Sequence, residues 1–201
     1  MTPPASNGGP GASAGLILAA GESRRMGSPK ALLRYREETF LDTVVGLFAR
    51  VCSPVIVVLG AAADEIEASA RRPAVFVRNE IYMRGQTSSM QCGLGAVPPR
   101  AAGVLFTLVD HPAVSAATVG RLIEPAGAAR LRVPRYRGRN GHPIWISRDL
   151  VREFLALPEH GAARDVVRAH AAETEFLDVD DPGVAADIDN PEDYARLLEA
   201  P

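Results

Sequence analysis

The sequence is short of several things, and each shortage removes a class of protein. Its 201 residues hold two cysteines, Cys52 and Cys92, far apart and with no CxxC pair or neighbouring histidine. That excludes a disulfide framework and a zinc signature and fits two thiols in a reduced compartment, so a cytoplasmic location is expected. No apolar run approaches the roughly 20 residues of a membrane span, so no membrane partner is expected. The opening stretch MTPPASNGGPGAS has neither positive charge nor an apolar core, so it does not read as a signal peptide. Residues 1–13 are expected to be a disordered lead-in. Neither sign of charge dominates: 22 Lys and Arg against 24 Asp and Glu leave −2. Nucleic acid is therefore not an expected partner, and a phosphate ligand has to be met by a local site. There is also no internal repeat and no long linker, so residues 14–201 read as one domain.

What is present is a soluble α/β pattern. The composition, 47% hydrophobic and 23% charged, is ordinary for a globular chain. GLILAA (15–20), VIVVL (55–59), AVFV (74–77) and GVLFTLV (103–109) are short apolar runs of the kind buried on both faces of a parallel sheet. Helical periodicity separates them at about 39–51, 64–71 and 88–97, and Thr39 with Asp42 resembles a capping box with Asp in place of Glu. The alternation predicts an open, mostly parallel sheet with helices on both faces. Beyond Asp110 the pattern predicts a helix over 115–123 and a hairpin or strand–loop–strand over 131–147. Helices over 148–157 and 161–171, short strands near 175–179 and 185–188, and a helix from Pro191 complete it.

In such sheets ligands bind at the carboxyl ends of the strands. The loop after the first run, LAAGESRRMGSPK (18–30), holds two glycines, Gly21 and Gly27, and three cations, Arg24, Arg25 and Lys30. Ser23 adds a hydroxyl. Free amides with two or three positive charges suit a triphosphate. The Walker A pattern does not fit, because five residues separate the glycines and Lys30 does not follow Gly27 directly. The GxGxxG dinucleotide fingerprint is absent too.

The string LAAGESRRMGSPKALL resembles the signature of the MobA-like nucleotidyltransferases, and within them the branch that holds the molybdenum cofactor cytidylyltransferases. The resemblance runs from about Ala14 to Glu199. It implies a Rossmann-like, three-layer α/β/α fold of the nucleotide-diphospho-sugar transferase type, and transfer of NMP from an NTP with loss of pyrophosphate. It makes Leu18, Ala19, Ala20, Gly21, Ser23, Arg24, Arg25, Gly27 and Lys30 nucleotide-binding, with Arg25, Lys30 and Asp110 catalytic. The LAAG form goes with CTP in the family, which makes CTP the favoured nucleotide, molybdopterin the favoured acceptor and a molybdenum hydroxylase a downstream partner. Two other readings share the scaffold: a sugar- or polyol-phosphate nucleotidyltransferase, and an NAD(P)H-dependent oxidoreductase or accessory factor.

Other stretches carry the resemblance further. In NEIYMRGQTSSMQCGLG (79–95) the matching residues are Asn79, Gly85, Ser88, Ser89 and Gly93, expected near base and ribose. On its own, the Gly-Gln-Thr-Ser-Ser run can serve a ligand at a helix start or simply cap the helix. Asp110, at the end of an apolar run, is placed to hold Mg²⁺. DIDNPEDY (187–194) offers Asp187 and Asp189, of which Asp189 is the expected second metal ligand; the alternative is that both merely flank a helix start. Gly141 and His142, in RGRNGHP, are expected acceptor contacts or else an exposed hairpin tip. GAARDVV (161–167) resembles a helix start of that branch with its arginine shifted by one position, a turn of about 100°; Arg164 is the third expected acceptor contact.

Overall fold

The computed structural model describes residues 11–125 and 127–199. Most of the expected lead-in, residues 1–10, lies outside the described residues. Ser13 is already pinned: its carbonyl accepts from the Ser53 N–H and its Oγ from Trp145 Nε1 (both 3.0 Å).

The first apolar run forms β1 (Ala14–Ala19), buried throughout. After the loop comes a hairpin that periodicity did not reveal, β2 (Arg34–Tyr35) with β3 (Glu38–Thr39). Then follow α1 (Phe40–Phe48), β4 (Val55–Leu59), α2 (Ala63–Ser69) and β5 (Val75–Arg78). The second half holds α3 (Gln86–Gly95), β6 (Gly103–Leu108), α4 (Ala116–Ile123), β7 (Leu131–Tyr136), β8 (Arg139–Asn140) and β9 (Ile144–Ser147). The chain closes with α5 (Val151–Leu155), α6 (Ala163–Ala169), β10 (Thr174–Asp178) and α7 (Pro191–Glu199).

The sheet order is β10-β7-β9-β6-β1-β4-β5, with β8 on β7. β1 pairs in parallel with β4 and β6, whereas β9 runs antiparallel to both β6 and β7. Side chains alternate across the pleat. Ile17, Val57 and Leu105 face one layer, where α1 contributes Phe40, Val44 and Phe48 and α4 contributes Val119 and Leu122. Leu16, Val58 and Phe106 face the other, against Met90 and Leu94 of α3, Phe154 of α5 and Val166 of α6. The three-layer α/β/α expectation is realised.

Local boundaries differ from expectation. The strand expected over 185–188 is absent: Pro182–Ala185 is a 3-10 turn, closed by Asp181, whose carboxylate accepts from the Gly183 N–H (3.0 Å). Ile188 reaches the sheet region through one backbone bond, its N–H to the Asp110 carbonyl (3.2 Å). α3 starts two residues earlier than the apolar period indicated, because Gly85 turns the chain with a φ of 101°. α5 and α6 are shorter than the stretches 148–157 and 161–171.

Candidate active site

From β1 the chain moves outward to β4 and β5, then crosses back to place β6 on the other side of β1. The carboxyl ends of β1 and β6 thus open at a reversal of strand order, where no connection covers them. The loop after β1 and Asp110 after β6 meet there.

The loop is shaped from within. Ser23 has a left-handed backbone (φ 52°), as has Gly27 (φ 70°). Ser23 Oγ accepts the Lys30 backbone N–H at 2.9 Å, and its carbonyl accepts from Met26 N–H at 2.8 Å. Lys30 opens a short 3-10 turn, Lys30–Leu32. From this fixed base its Nζ donates to Asp110 Oδ2 at 2.9 Å and to Asp189 Oδ1 at 2.7 Å. Arg25 Nη2 donates to the other oxygen, Asp189 Oδ2, at 3.0 Å. The Lys30 side chain is 15% exposed and Asp110 13%. Burial works against the ammonium, but Asp110 and Asp189 outweigh it and hold the lysine pKa above its ordinary value. The Lys30 hydrogen bond, helped by Arg25, holds the Asp189 carboxyl below the usual carboxylate range. Asp189 is positioned by α7: its N–H donates to Asp193 Oδ2 (3.0 Å), while Asn190 Oδ1 caps the helix by accepting from Asp193 N–H (2.9 Å). Asp187 is exposed.

Arg25, Lys30, Asp110 and Asp189 line a cavity of about 450 Å³, walled by Leu18 to Arg25 on one side and by Tyr82, Gln86 and Ser89 on the other. The expected base-and-ribose residues divide. Ser89 is on the wall. Asn79 is buried behind it, donating from Nδ2 to Ser88 Oγ and Ser89 Oγ (both 3.0 Å) and accepting the Ile81 N–H (3.2 Å). Ser88 turns back to the Gly85 carbonyl (2.8 Å). Gly93 lies on the sheet side of α3, where a Cβ would come within 2.3 Å of Leu16 Cδ1 and 2.6 Å of Val58 Cγ2. Its lack of a side chain lets helix and sheet approach. Arg24, exposed, pairs with Glu22 at 2.8 Å.

A second cavity of about 420 Å³ contains all three expected acceptor residues, Gly141, His142 and Arg164, over an apolar floor of Met90, Phe106 and Ile144. Gln86 borders both cavities, so they are neighbours. Sequence reasoning passed over it, although it sits inside the Gly-Gln-Thr-Ser-Ser run. A Cβ on Gly141 would fall 2.0 Å from the Val184 carbonyl oxygen, so only glycine fits there. The His142 ring packs edge-on to Phe106 (5.7 Å) and beside His111 (5.1 Å). Burial, and then the neighbouring His111, lower its pKa to about 4, which keeps it neutral at physiological pH.

Two features bear on a divalent cation. Asp110 Oδ1 is buried and has no hydrogen-bond partner. Two carboxylates converge on one point beside the cavity. Hard oxygen donors from one or two carboxylates, completed by substrate phosphates, are what Mg²⁺ takes. The donor set therefore fits an ion shared with a bound triphosphate. Among the described residues no group of three or more His, Cys, Asp or Glu is arranged to hold a metal unaided. Nor, among those residues, is any helix long and apolar enough to cross a membrane.

A model of the MobA-like NTP transferase domain matches residues 15–174. The chain is 34% identical to nicotine blue oxidoreductase of Paenarthrobacter nicotinovorans, over 92% of this chain and 95% of that protein. It is 25% identical to the molybdenum cofactor cytidylyltransferase of Escherichia coli, over 92% and 94%. Among solved structures, Rv0371c of Mycobacterium tuberculosis is 34% identical with a TM-score of 0.83, covering 94% of this chain and all of that one. The manganese complex of the same protein aligns at 32% identity and a TM-score of 0.74, over 94% and 99%. The fold is that of the nucleotide-diphospho-sugar transferases.

Proposed function

The chain belongs to the MobA-like NTP transferase family, and from that premise we propose that it transfers CMP from CTP to a phosphorylated acceptor of the molybdopterin class, releasing pyrophosphate. The observation that carries this reading is the convergence of Lys30, Asp110 and Asp189 on the wall of the β1-loop cavity.

A phosphate oxygen of the acceptor attacks the α-phosphorus, and the bond to the β-phosphate bridging oxygen breaks. That nucleophile is ionised at neutral pH, so positioning and charge neutralisation do the catalysis, without a strong base. Amides between Ala20 and Gly27 hold the phosphate chain in line, and Arg25 and Lys30 take up charge on the β- and γ-phosphates. Asp110 and Asp189 are the residues that would hold Mg²⁺, which when bound would neutralise charge on the phosphates. The acceptor occupies the second cavity, with Arg164 offering a charge to its phosphate and His142 a neutral ring. The choice of CTP rests on the Leu18-Ala19-Ala20-Gly21 form of the loop. We place residues 14–201 in a single cytoplasmic domain and a molybdenum hydroxylase as user of the product.

One assay tests the activity. The protein is incubated with Mg²⁺ and each of CTP, GTP, UTP and ATP, with and without molybdopterin, while pyrophosphate is followed. Release confined to CTP plus pterin is the expected result. Replacing Lys30 with Ala is expected to slow turnover on the order of 100-fold, the scale of one preorganised charge contact; near-normal turnover removes the lysine from the scheme. The similarity to a nicotine blue oxidoreductase supports a second reading, an NAD(P)H-dependent reductase. Under it, NADPH binds and no nucleotide–acceptor pair yields pyrophosphate.

A further inference from the structure

The contacts of Lys30 have a consequence for metal binding. Its two hydrogen bonds, to Asp110 Oδ2 and Asp189 Oδ1, run through one atom, Nζ. A divalent cation bound to the same two oxygens would have to lie against that ammonium. Two cations in contact in a part-buried site repel strongly, so both cannot share those two oxygens. The backbone of Lys30 cannot yield, since its N–H is held by Ser23 Oγ and it opens the 3-10 turn. What can yield is the stem, four flexible carbons carrying a compact charge. It leaves two carboxylates only for other anions of comparable charge, and the cavity beside it is the one in which a triphosphate would lie. Arg25 is bound to the outer oxygen of Asp189 alone and does not stand between the carboxylates.

We propose that Lys30 occupies the metal position as a built-in competitor, keeping divalent cations off Asp110 and Asp189 until nucleotide phosphates draw its ammonium away. The proposal rests on the reading that these two carboxylates hold the metal. It makes metal and nucleotide binding interdependent: each raises the affinity of the other by the same factor. Metal in excess over nucleotide then does not load the site by itself, and the ion enters with the substrate.

The test is direct binding of Mn²⁺ to the full chain, read from the electron paramagnetic resonance signal of the free ion, with and without CTP and corrected for the Mn²⁺ that the same CTP concentration binds without protein. Wild type is expected to bind Mn²⁺ weakly alone and about tenfold more tightly with CTP, within the usual range of coupling between two sites. Lys30→Met is expected to bind it about tenfold more tightly than wild type with CTP absent, and to lose most of the increment that CTP provides. Lys30→Gln, which keeps hydrogen bonding without the charge, is expected to behave likewise and serves if the methionine variant does not fold. Equal Mn²⁺ affinity of wild type and both variants in the absence of CTP would overturn the competition. Asp189→Asn separates the two levels. If it leaves CTP-dependent Mn²⁺ binding intact, the carboxylate pair is not the metal site; if it abolishes that binding while the lysine variants show no gain, only the competition fails.

Discussion

Ser23 shows how one hydroxyl sets the position of a charge. It spends a left-handed backbone conformation to bring its Oγ under the Lys30 N–H, and so fixes the root of the side chain that reaches both aspartates. Ser23→Ala keeps the strain and loses the bond. The expected cost is about 1 kcal/mol in chemical denaturation, together with a several-fold rise in the KM for the nucleotide. An unchanged KM would mean that the loop keeps its shape without the bond. His142 gives a pH signature. Its folded pKa, about 4, lies below the ordinary 6.5, so between these values the unfolded chain binds the proton and the folded one does not. This group therefore lowers stability as pH falls from 6.5 towards 4 and has no effect above 6.5, with a slope approaching about 1 kcal/mol per pH unit. Denaturation of wild type and His142→Gln at several pH values should give curves that diverge below 6.5 and run parallel above it. At this scale the meeting of Lys30, Asp110 and Asp189 was legible as three motif residues expected at strand ends and a helix start. The surroundings of Asn79, bonded to Ser88 and Ser89, and of Gly93, against the sheet, were not, because neighbours across the fold are not written in a string of letters.

At the scale of elements, α1 was readable from its cap. Thr39 Oγ1 accepts the Asp42 N–H (3.0 Å), the side-chain cap that the Thr-x-x-Asp spacing indicated; the box is not closed, because the Asp42 carboxylate accepts from the Thr39 hydroxyl (3.0 Å) and not from its backbone N–H. The spacing did not reveal the second use of Asp42: buried, it accepts the backbone N–H groups of Arg71 (2.9 Å) and Arg72 (3.1 Å), fastening the end of α2 to the start of α1. Asp42→Ala is expected to destabilise the fold by about 2 kcal/mol, more than a cap alone, because it strands those donors. Urea titration beside Thr39→Ala checks the difference, and equal losses would reduce Asp42 to a cap. α3 was mislocated by two residues because its start is fixed by the φ of Gly85 rather than by a side-chain cap. The missing strand at 185–188 is a competition that local pattern cannot settle. Pro182 has no N–H to give, and Asp181 folds the chain into a 3-10 turn.

For the molecule as a whole, the order of strands matters more than the strands themselves. Residues 80 apart in sequence, Lys30 and Asp110, meet because β1 and β6 are neighbours, and Asp189, 159 from Lys30, joins them where α7 begins. A ligand bound across these three segments stabilises the assembly by mass action. CTP with Mg²⁺ at about a hundred times its Kd is expected to contribute about 2.7 kcal/mol, which at this chain length raises Tm by about 5–10 °C. Either component alone should give a smaller shift in a thermal melt, and full stabilisation by Mg²⁺ alone would contradict their interdependence. The sequence by itself determined the class of fold, the glycine-and-cation loop after the first strand and the identity of the charged groups, because apolar runs and glycine-cation spacing are local properties of the chain. Only the tertiary structure decided that Lys30 bridges both aspartates, that Gly93 faces the sheet and that Gln86 stands between two cavities. Those facts follow from which strands lie side by side and which way each helix turns, and these are set by packing between distant parts of the chain.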